Sequence, residues 1–413
     1  MSPLFRRDKS CPLSPVGVEL GDHVIRLAQV REERDGPVLT AAASVGVDLS
    51  RRDDAAAYGR LVRGAIQDHW HRNGFRGDRV RVGLPSSRMR WQTLSLSPKL
   101  PLTEVAVREA AADIGADDAL RYFESSRSAS DRRVVCVSLA KPWLDAILAG
   151  VVASGRTIAA LSPGALGAAE AFGRLYRRRE DAAACDAVID LGRRSTRILV
   201  LRHGRPLRAG QLPVGGDALD AAAAAELGVA TSEAGLLRRR LSDAEHVAAG
   251  DVIREQATAR GSLFKRDDRR IVGSDGRAGS GLQEADIAAP HCHVDGMTID
   301  RDTGDRVWRA TVATADQIAR GVAEFCCRDA TGLNRDSTPT RLLFIGGEAN
   351  NRRLCRHVAE AAGLPAQVGE TLCRLRGANT PASFADDRPR PEWTGVVGLA
   401  LANSTAAQSA CAA

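Results

Sequence analysis

A chain of 413 residues, with 44% apolar and 26% charged side chains, is long enough for two or three domain-sized cores and too apolar to be disordered. Aromatics make up only 4%, so those cores are expected to be aliphatic. The net charge of +7 comes from arginines in short scattered runs (Arg177–Arg179, Arg238–Arg240, Arg269–Arg270), which read as solvated faces. No specific nucleic-acid partner is expected from that pattern. There is no apolar run of about 18 residues, hence no expected membrane span. Met1–Pro15 has basic residues but no apolar stretch after them, which argues against a secretory signal. Nine cysteines without metal-type spacing fit a reducing, cytoplasmic setting. His291-Cys292-His293 has no second ligand pair to complete a zinc site.

Val16–Gly21 reads as a buried strand ending in a turn, and Val24–Val30 as its return strand. After the turn signal Arg34-Asp35-Gly36-Pro37, Val38–Val47 is a third strand. Leu61, Val62, Ala65, Ile66, His69 and Trp70 make one stripe of a helix over Ala55–Trp70. Arg79–Leu84 and Met89–Leu96 are strands about a Pro85-Ser86-Ser87 turn. Thr103–Ile114 is an amphipathic helix capped by Thr103. Arg133–Ala140 (strand), Trp143–Ala153 (helix), Arg156–Leu161 (strand) and Gly164–Arg178 (helix) follow. These readings place a first lobe at 15–185, with an inserted α+β subdomain at about 79–160.

The opening pattern then recurs. Ala187–Gly192 is a strand and turn, Thr196–Leu201 the return strand, His203-Gly204 a turn and Pro206–Val214 a third strand. Ala218–Leu227 and Thr231–Leu241 form an alanine-rich helical pair. A polar insertion covers about 243–310, and its centre at 265–285 is expected to be mobile. A helix at Ala313–Ala330, a strand at Arg341–Ile345, a Gly346-Gly347 turn and a helix at Arg352–Ala362 complete a second lobe spanning 186–402. The ends, 1–14 and 403–413, read as disordered.

Aligning Glu19-Leu20-Gly21 with Asp190-Leu191-Gly192 also aligns Ile25 with Thr196, which argues for a duplicated α/β unit with mixed sheets. Glycine after a strand lets the backbone approach a ligand, and successive N–H groups there make an anion-binding concavity. Gly21, Gly192 and the Gly346-Gly347 pair stand at such turns. Glu19 and Asp190 beside them are candidate Mg²⁺ carboxylates acting through water. Ser195 and Thr196 offer hydroxyls to phosphate oxygens.

The two hairpins resemble the phosphate motifs of the actin, Hsp70 and sugar-kinase superfamily, and Phe344-Ile-Gly-Gly-Glu348 resembles its adenosine motif. Within it the chain is most similar to the PilM family of type IV pilus assembly, with FtsA as a nearer cousin, from Val16 to Ala402. Val82-Gly-Leu-Pro-Ser86, the Gly-Gly-Asp turn in Gln211–Leu219, and Glu233-Ala234 with Arg238 carry that likeness. The resemblance implies an actin-like (ribonuclease H-like duplicated) two-lobed α/β fold with an inserted α+β subdomain in the first lobe. It implies ATP with Mg²⁺, contacted by Gly21, Gly192, Ser195, Thr196, Gly215, Gly216, Glu233, Arg238, Gly346 and Gly347. It assigns no catalytic residue and at most a weak ATPase. It implies a cytoplasmic scaffold for pilus, secretion or competence assembly, peripheral to the inner membrane. The partner would be the N-terminal cytosolic tail of a bitopic, PilN-like inner-membrane protein, with membrane contact only indirect and self-association left open.

The chain departs from the family pattern at Glu19 for aspartate, at Asp22-His23-Val24 for small hydroxyl residues, at Arg238 for lysine and at Glu348 for a small residue. A nucleotide-free interaction module, a small-molecule kinase and an FtsA-like division protein are the competing readings.

Overall fold

The computed structural model describes residues 13–111, 113–175, 185–202, 204–242, 292–294, 297–299, 301–327, 338–375, 384 and 389–402. The chain divides into two compact units. The first takes residues up to Ala182 and from Glu370 onward; the second takes most of those between.

In the first unit, β1 (Val16–Leu20), β2 (Val24–Glu33) and β3 (Gly36–Gly46) form an antiparallel meander. Helix α1 (Ala55–Trp70) follows, with the Asp54 side chain accepting from the Ala57 N–H as its N-cap. Val62, Ala65, Ile66 and Trp70 of the expected stripe are buried, and Leu61 and His69 lie at its margin. Strand β4 (Arg79–Leu84) then pairs in parallel with β1. An insertion comes next: β5 (Met89–Leu96), α2 (Glu104–Ala110), β6 (Ala119–Arg127) and β7 (Arg132–Leu139). Helix α3 (Lys141–Ala153) and β8 (Thr157–Pro163) return the chain to the main sheet, whose order is β3-β2-β1-β4-β8. Helix α4 (Gly164–Leu175) closes this stretch.

The insertion is narrower than 79–160, because β4 and β8 pair with each other in the main sheet and α3 packs on α1. A Cβ at Gly59 or Gly150 would strike the facing helix backbone, so α1 and α3 touch at their main chains. The separate sheet, ordered β5-β7-β6 and antiparallel, covers 89–139. Its core is Val107 and Ala111 against Leu120, Val134 and Cys136. Strand β6 had no counterpart in the sequence reading, since its residues are mostly exposed or half-buried and lack an apolar signal.

The second unit repeats the topology. Strands β9 (Cys185–Leu191), β10 (Thr196–Arg202) and β11 (Arg205–Leu212) precede α5 (Gly216–Leu227) and a helix over 231–242 (α6). A short hairpin, β12 (Cys292–Val294) and β13 (Met297–Ile299), leads into the long α7 (Arg301–Cys327). Then come β14 (Arg341–Ile345), α8 (Arg352–Ala362) and β15 (Ala366–Val368). The sheet order is β11-β10-β9-β14-β15, the same third-second-first-fourth-fifth arrangement as in the first unit. In both, the first strand is antiparallel to the second and parallel to the fourth.

Helix α7 begins at Arg301 rather than Ala313, because Val307, Thr311 and Ala315 continue the buried stripe into polar text. The 265–285 segment and both chain ends (1–12, 403–413) lie outside the described residues.

The last helix, α9 (Thr394–Leu401), belongs with the first unit and not with a lobe running to 402. Trp393, Val396, Val397 and Leu401 share a core with Ala28, Val30, Leu39 and Ala42. Every residue of α9 is buried, so it must be covered on all sides. Against α4 the contact is backbone to backbone: a Cβ at Gly167 would strike the Gly395 carbonyl, and one at Gly398 the Gly167 carbonyl. That approach sets the N-termini of α4 and α9 side by side near the end of β1.

Candidate functional site

The two acidic turns share a feature that the sequence alignment left out. Each carboxylate lies directly across its hairpin from an arginine seven residues on, Glu19 opposite Arg26 and Asp190 opposite Arg197. The pairs close at 3.9 Å and 3.4 Å. A cross-strand pair of this kind is a stabilising unit of a sheet, and it sets a guanidinium beside each carboxylate expected to serve Mg²⁺.

In the first unit, the Gly21 N–H donates to the Val24 carbonyl at 3.1 Å, and the Tyr58 hydroxyl donates to the Gly21 carbonyl at 2.9 Å. Burial, then the nearby Asp22 carboxylate, pushes the Tyr58 hydroxyl far above its ordinary range. Asp22 does not stand free toward a ligand, since Ser87 donates to it at 2.5 Å, while His23 meets Arg52 at 2.9 Å. The Glu19 carboxylate reaches the other way. A Cβ at Gly395 would strike it, and one at Gly164 would stand 3.7 Å from it. It therefore lies at the first turns of α4 and α9, where helix dipoles favour negative charge.

In the second unit, Arg238 on α6 is only 5% exposed and donates to Asp220 and Glu348, each at 2.5 Å. Arg193, from the β9–β10 turn, meets Asp220 at 2.5 Å, Asp217 at 2.8 Å and Glu348 at 3.3 Å. Burial by itself would lower both guanidinium pKa values. For Arg238, Glu348 and then Asp220 outweigh that cost, and for Arg193 Asp220 does so first, so both are held above the ordinary value. Arg193 and Arg238 thus share Asp220 and Glu348, and Arg193 also reaches Asp217. Burial and Glu348 also push the Cys355 thiol well above its usual range.

The residues assigned to nucleotide divide accordingly. The structure brings Gly192, Ser195, Thr196, Gly215, Gly216, Arg238, Gly346 and Asp190 around the ends of β9, β14 and α5. Glu233 is exposed on α6, away from buried Arg238, and Gly347 is exposed beside open space. Gly346 has φ +90°, and a Cβ there would stand 2.5 Å from Asp190 Oδ1, so glycine is required for packing. Thr196 donates its hydroxyl to the Val214 carbonyl at 2.9 Å. Among the described residues the buried Ser195 hydroxyl has no hydrogen-bond partner, and it would suit a phosphate oxygen.

The rest does not suit one. The N–H groups of Gly192, Gly216 and Asp217 already donate to the carbonyls of Ser195, Gly192 and Arg193, at 3.1, 3.0 and 2.7 Å. A Cβ at Gly216 would strike the Glu348 carboxylate, so that carboxylate sits at the N-terminal turn of α5. As folded, these residues do not fit ATP with Mg²⁺. Asp220, Arg26 and Arg197 escaped the sequence reading. The repeated arginine seven places after each acidic residue was the available signal for two of them.

A duplicated five-stranded mixed sheet with a small inserted sheet in the first copy is the actin-like fold. No protein-family profile and no curated protein sequence matches the chain. Among solved structures it is similar to the PilM-PilN type IV pilus biogenesis complex, with a TM-score of 0.66 at 16% identity over 94% of this chain and 98% of that one. It is also similar to the ethanolamine utilization protein EutJ from Carboxydothermus hydrogenoformans (TM-score 0.50, 14% identity, 94% and 89% covered). MreB5 of Spiroplasma citri, solved bound to ADP, matches at a TM-score of 0.46 and 11% identity, over 95% and 97%. Among the described residues no helix is long and apolar enough to cross a membrane.

Proposed function

We propose that this chain is a non-catalytic actin-like scaffold of a pilus- or secretion-type assembly. It docks the N-terminal cytosolic tail of a PilN-like bitopic inner-membrane protein and is held at the membrane through that partner. The observation that carries this reading is the inserted sheet, whose two outer strands, β5 and β6, are edges. An extended peptide can add to such an edge, main-chain hydrogen bonds supplying affinity and alternate side-chain pockets supplying selectivity. The β6 edge is interrupted by an irregularity between Glu124 and Ser126, whereas β5 pairs with β7 in unbroken register from Met89 to Leu96. Bulges blunt an edge against added strands, so β5 is the docking strand. The likeness to PilM of the PilM-PilN complex supports the class of partner.

ATP and Mg²⁺ are left out of this reading, because Glu19, Asp190 and Arg238 are paired with other side chains and the Gly192 and Gly216 N–H groups donate to backbone carbonyls. The same engagement disfavours a small-molecule kinase, which needs a carboxylate base open to a substrate hydroxyl; Glu19 and Asp190 face arginines instead.

The test is photo-crosslinking of the intact chain to the tail peptide of a candidate partner, read by mass spectrometry at low and moderate salt. Crosslinks within 89–96 that persist as salt rises support edge capture. Crosslinks confined to other surfaces, or capture that fades with screening as scattered arginines would give, overturn it.

A further inference from the structure

Helix N-termini beside glycine turns are ready-made anion sites, with N–H groups and dipole both pointing at the ligand. In this chain the three that stand beside the repeated hairpins hold the chain's own carboxylates. We infer that Glu348 in the second unit, and Glu19 in the first, are built-in anions that take the place of a bound phosphate, so the protein folds and works without nucleotide.

The second unit carries the argument furthest. Glu348 follows directly on the Gly346-Gly347 turn, and a short helical turn at Gly347–Asn350 aims it at Gly216, the first residue of α5. It is 8% exposed and is gripped by Arg238 at 2.5 Å and Arg193 at 3.3 Å. A phosphate at that helix terminus would have to displace Glu348 from both arginines, leaving the Glu348 carboxylate without its two cationic partners. Removing one member of a buried charge set is far costlier than forming the set is favourable. Asp220 is tied to both arginines and lies against Gly235 of α6, where a Cβ would strike its carboxylate, so the cluster cannot simply swing aside.

The first unit reaches the same end by a different residue. Glu19, the longer acid at its turn, extends to the first turns of both α4 and α9. An aspartate there would stop one methylene short. The extra reach of glutamate thus has a physical use in this chain.

The experiment is calorimetry and thermal melting of the intact chain with Mg-ATP, Mg-ADP and inorganic phosphate at millimolar concentration. The wild type is expected to give no saturable heat and an unchanged Tm. A ligand present at 100 times its Kd would stabilise the fold by about 2.7 kcal/mol, so a flat melt is informative. Glu348→Ala opens the α5 terminus and leaves Arg238 and Arg193 short of a carboxylate, and it is expected to bind Mg-ATP or phosphate at least about tenfold more tightly than the wild type. If that variant does not fold, Glu348→Gln keeps the shape and removes the charge, with the same expectation. Saturable Mg-ATP binding by the wild type overturns the inference. So does a folded Glu348 variant that gains no anion affinity. The docking reading is judged separately by its crosslinks, which need no nucleotide.

Discussion

The two units share a sheet order and a hairpin chemistry, yet they stabilise their acidic turns by different means. In the first unit one long carboxylate, Glu19, lies against two helix N-termini and across from Arg26. In the second, Asp190 is held by Arg197, and the helix terminus is left to a buried cluster that draws on β9–β10, α5, α6 and the segment after β14. The backbone solution was duplicated, whereas the charge solution was not. A helix terminus needs negative charge from somewhere, but nothing in the fold dictates which strand or turn supplies it.

Three measurements test that contrast. The largest effect is expected at Arg238. Replacing it by Met leaves Asp220 and Glu348 buried with Arg193 alone, and should cost about 3–5 kcal/mol in denaturant unfolding. The triple change Arg238→Met, Asp220→Asn, Glu348→Gln should recover most of that loss. If the single change is neutral, the cluster does not hold the second unit together.

A smaller effect separates the two acids. Glu19→Ala removes a carboxylate from two helix termini and should cost about 2 kcal/mol. Asp190→Ala removes a cross-strand pair and should cost about 1 kcal/mol. Neither should alter the response of Tm to Mg²⁺. The reverse order of costs, or a Mg²⁺-dependent stabilisation lost with Asp190, would show that the second hairpin holds a metal after all.

A loss of stability is also expected on the alkaline side. Burial raises the Cys136 thiol from 9.0 to about 11, and it raises Tyr58 above its ordinary value. Each group is neutral in the folded state at pH values where the unfolded chain has begun to ionise. The Cys136 contribution is therefore complete below pH 9 and is lost as pH rises from 9 toward 11, whereas that of Tyr58 is complete below pH 10 and is lost above it. Cys136→Ser should flatten the first part of that decline in a pH series of melts. An unchanged slope would show that Cys136 does not titrate as its burial requires.

Much of this molecule could be read without coordinates. The α1, β14 and α8 boundaries follow from apolar period, strand composition and capping residues, which are local properties. The duplication was visible because two hairpins repeat an acid, a glycine and their spacing. Strand β6 was missed because an exposed strand carries no period-2 apolar signal. The true extent of the insertion was missed because β4 and β8, far apart in sequence, become one parallel pair.

The candidate site divides in the same way. The actin-like plan, the glycine turns and most of the residues gathered around them were legible in the sequence, since each depends on a few adjacent positions. What those residues face was set by packing between distant segments. Arg238 is 18 positions from Asp220 and 110 from Glu348, and their meeting depends on two helices and a short helical turn packing at once. Charges find their partners through space, and a buried carboxylate that reads in sequence as a disturbance to a phosphate site is, once folded, what replaces the phosphate.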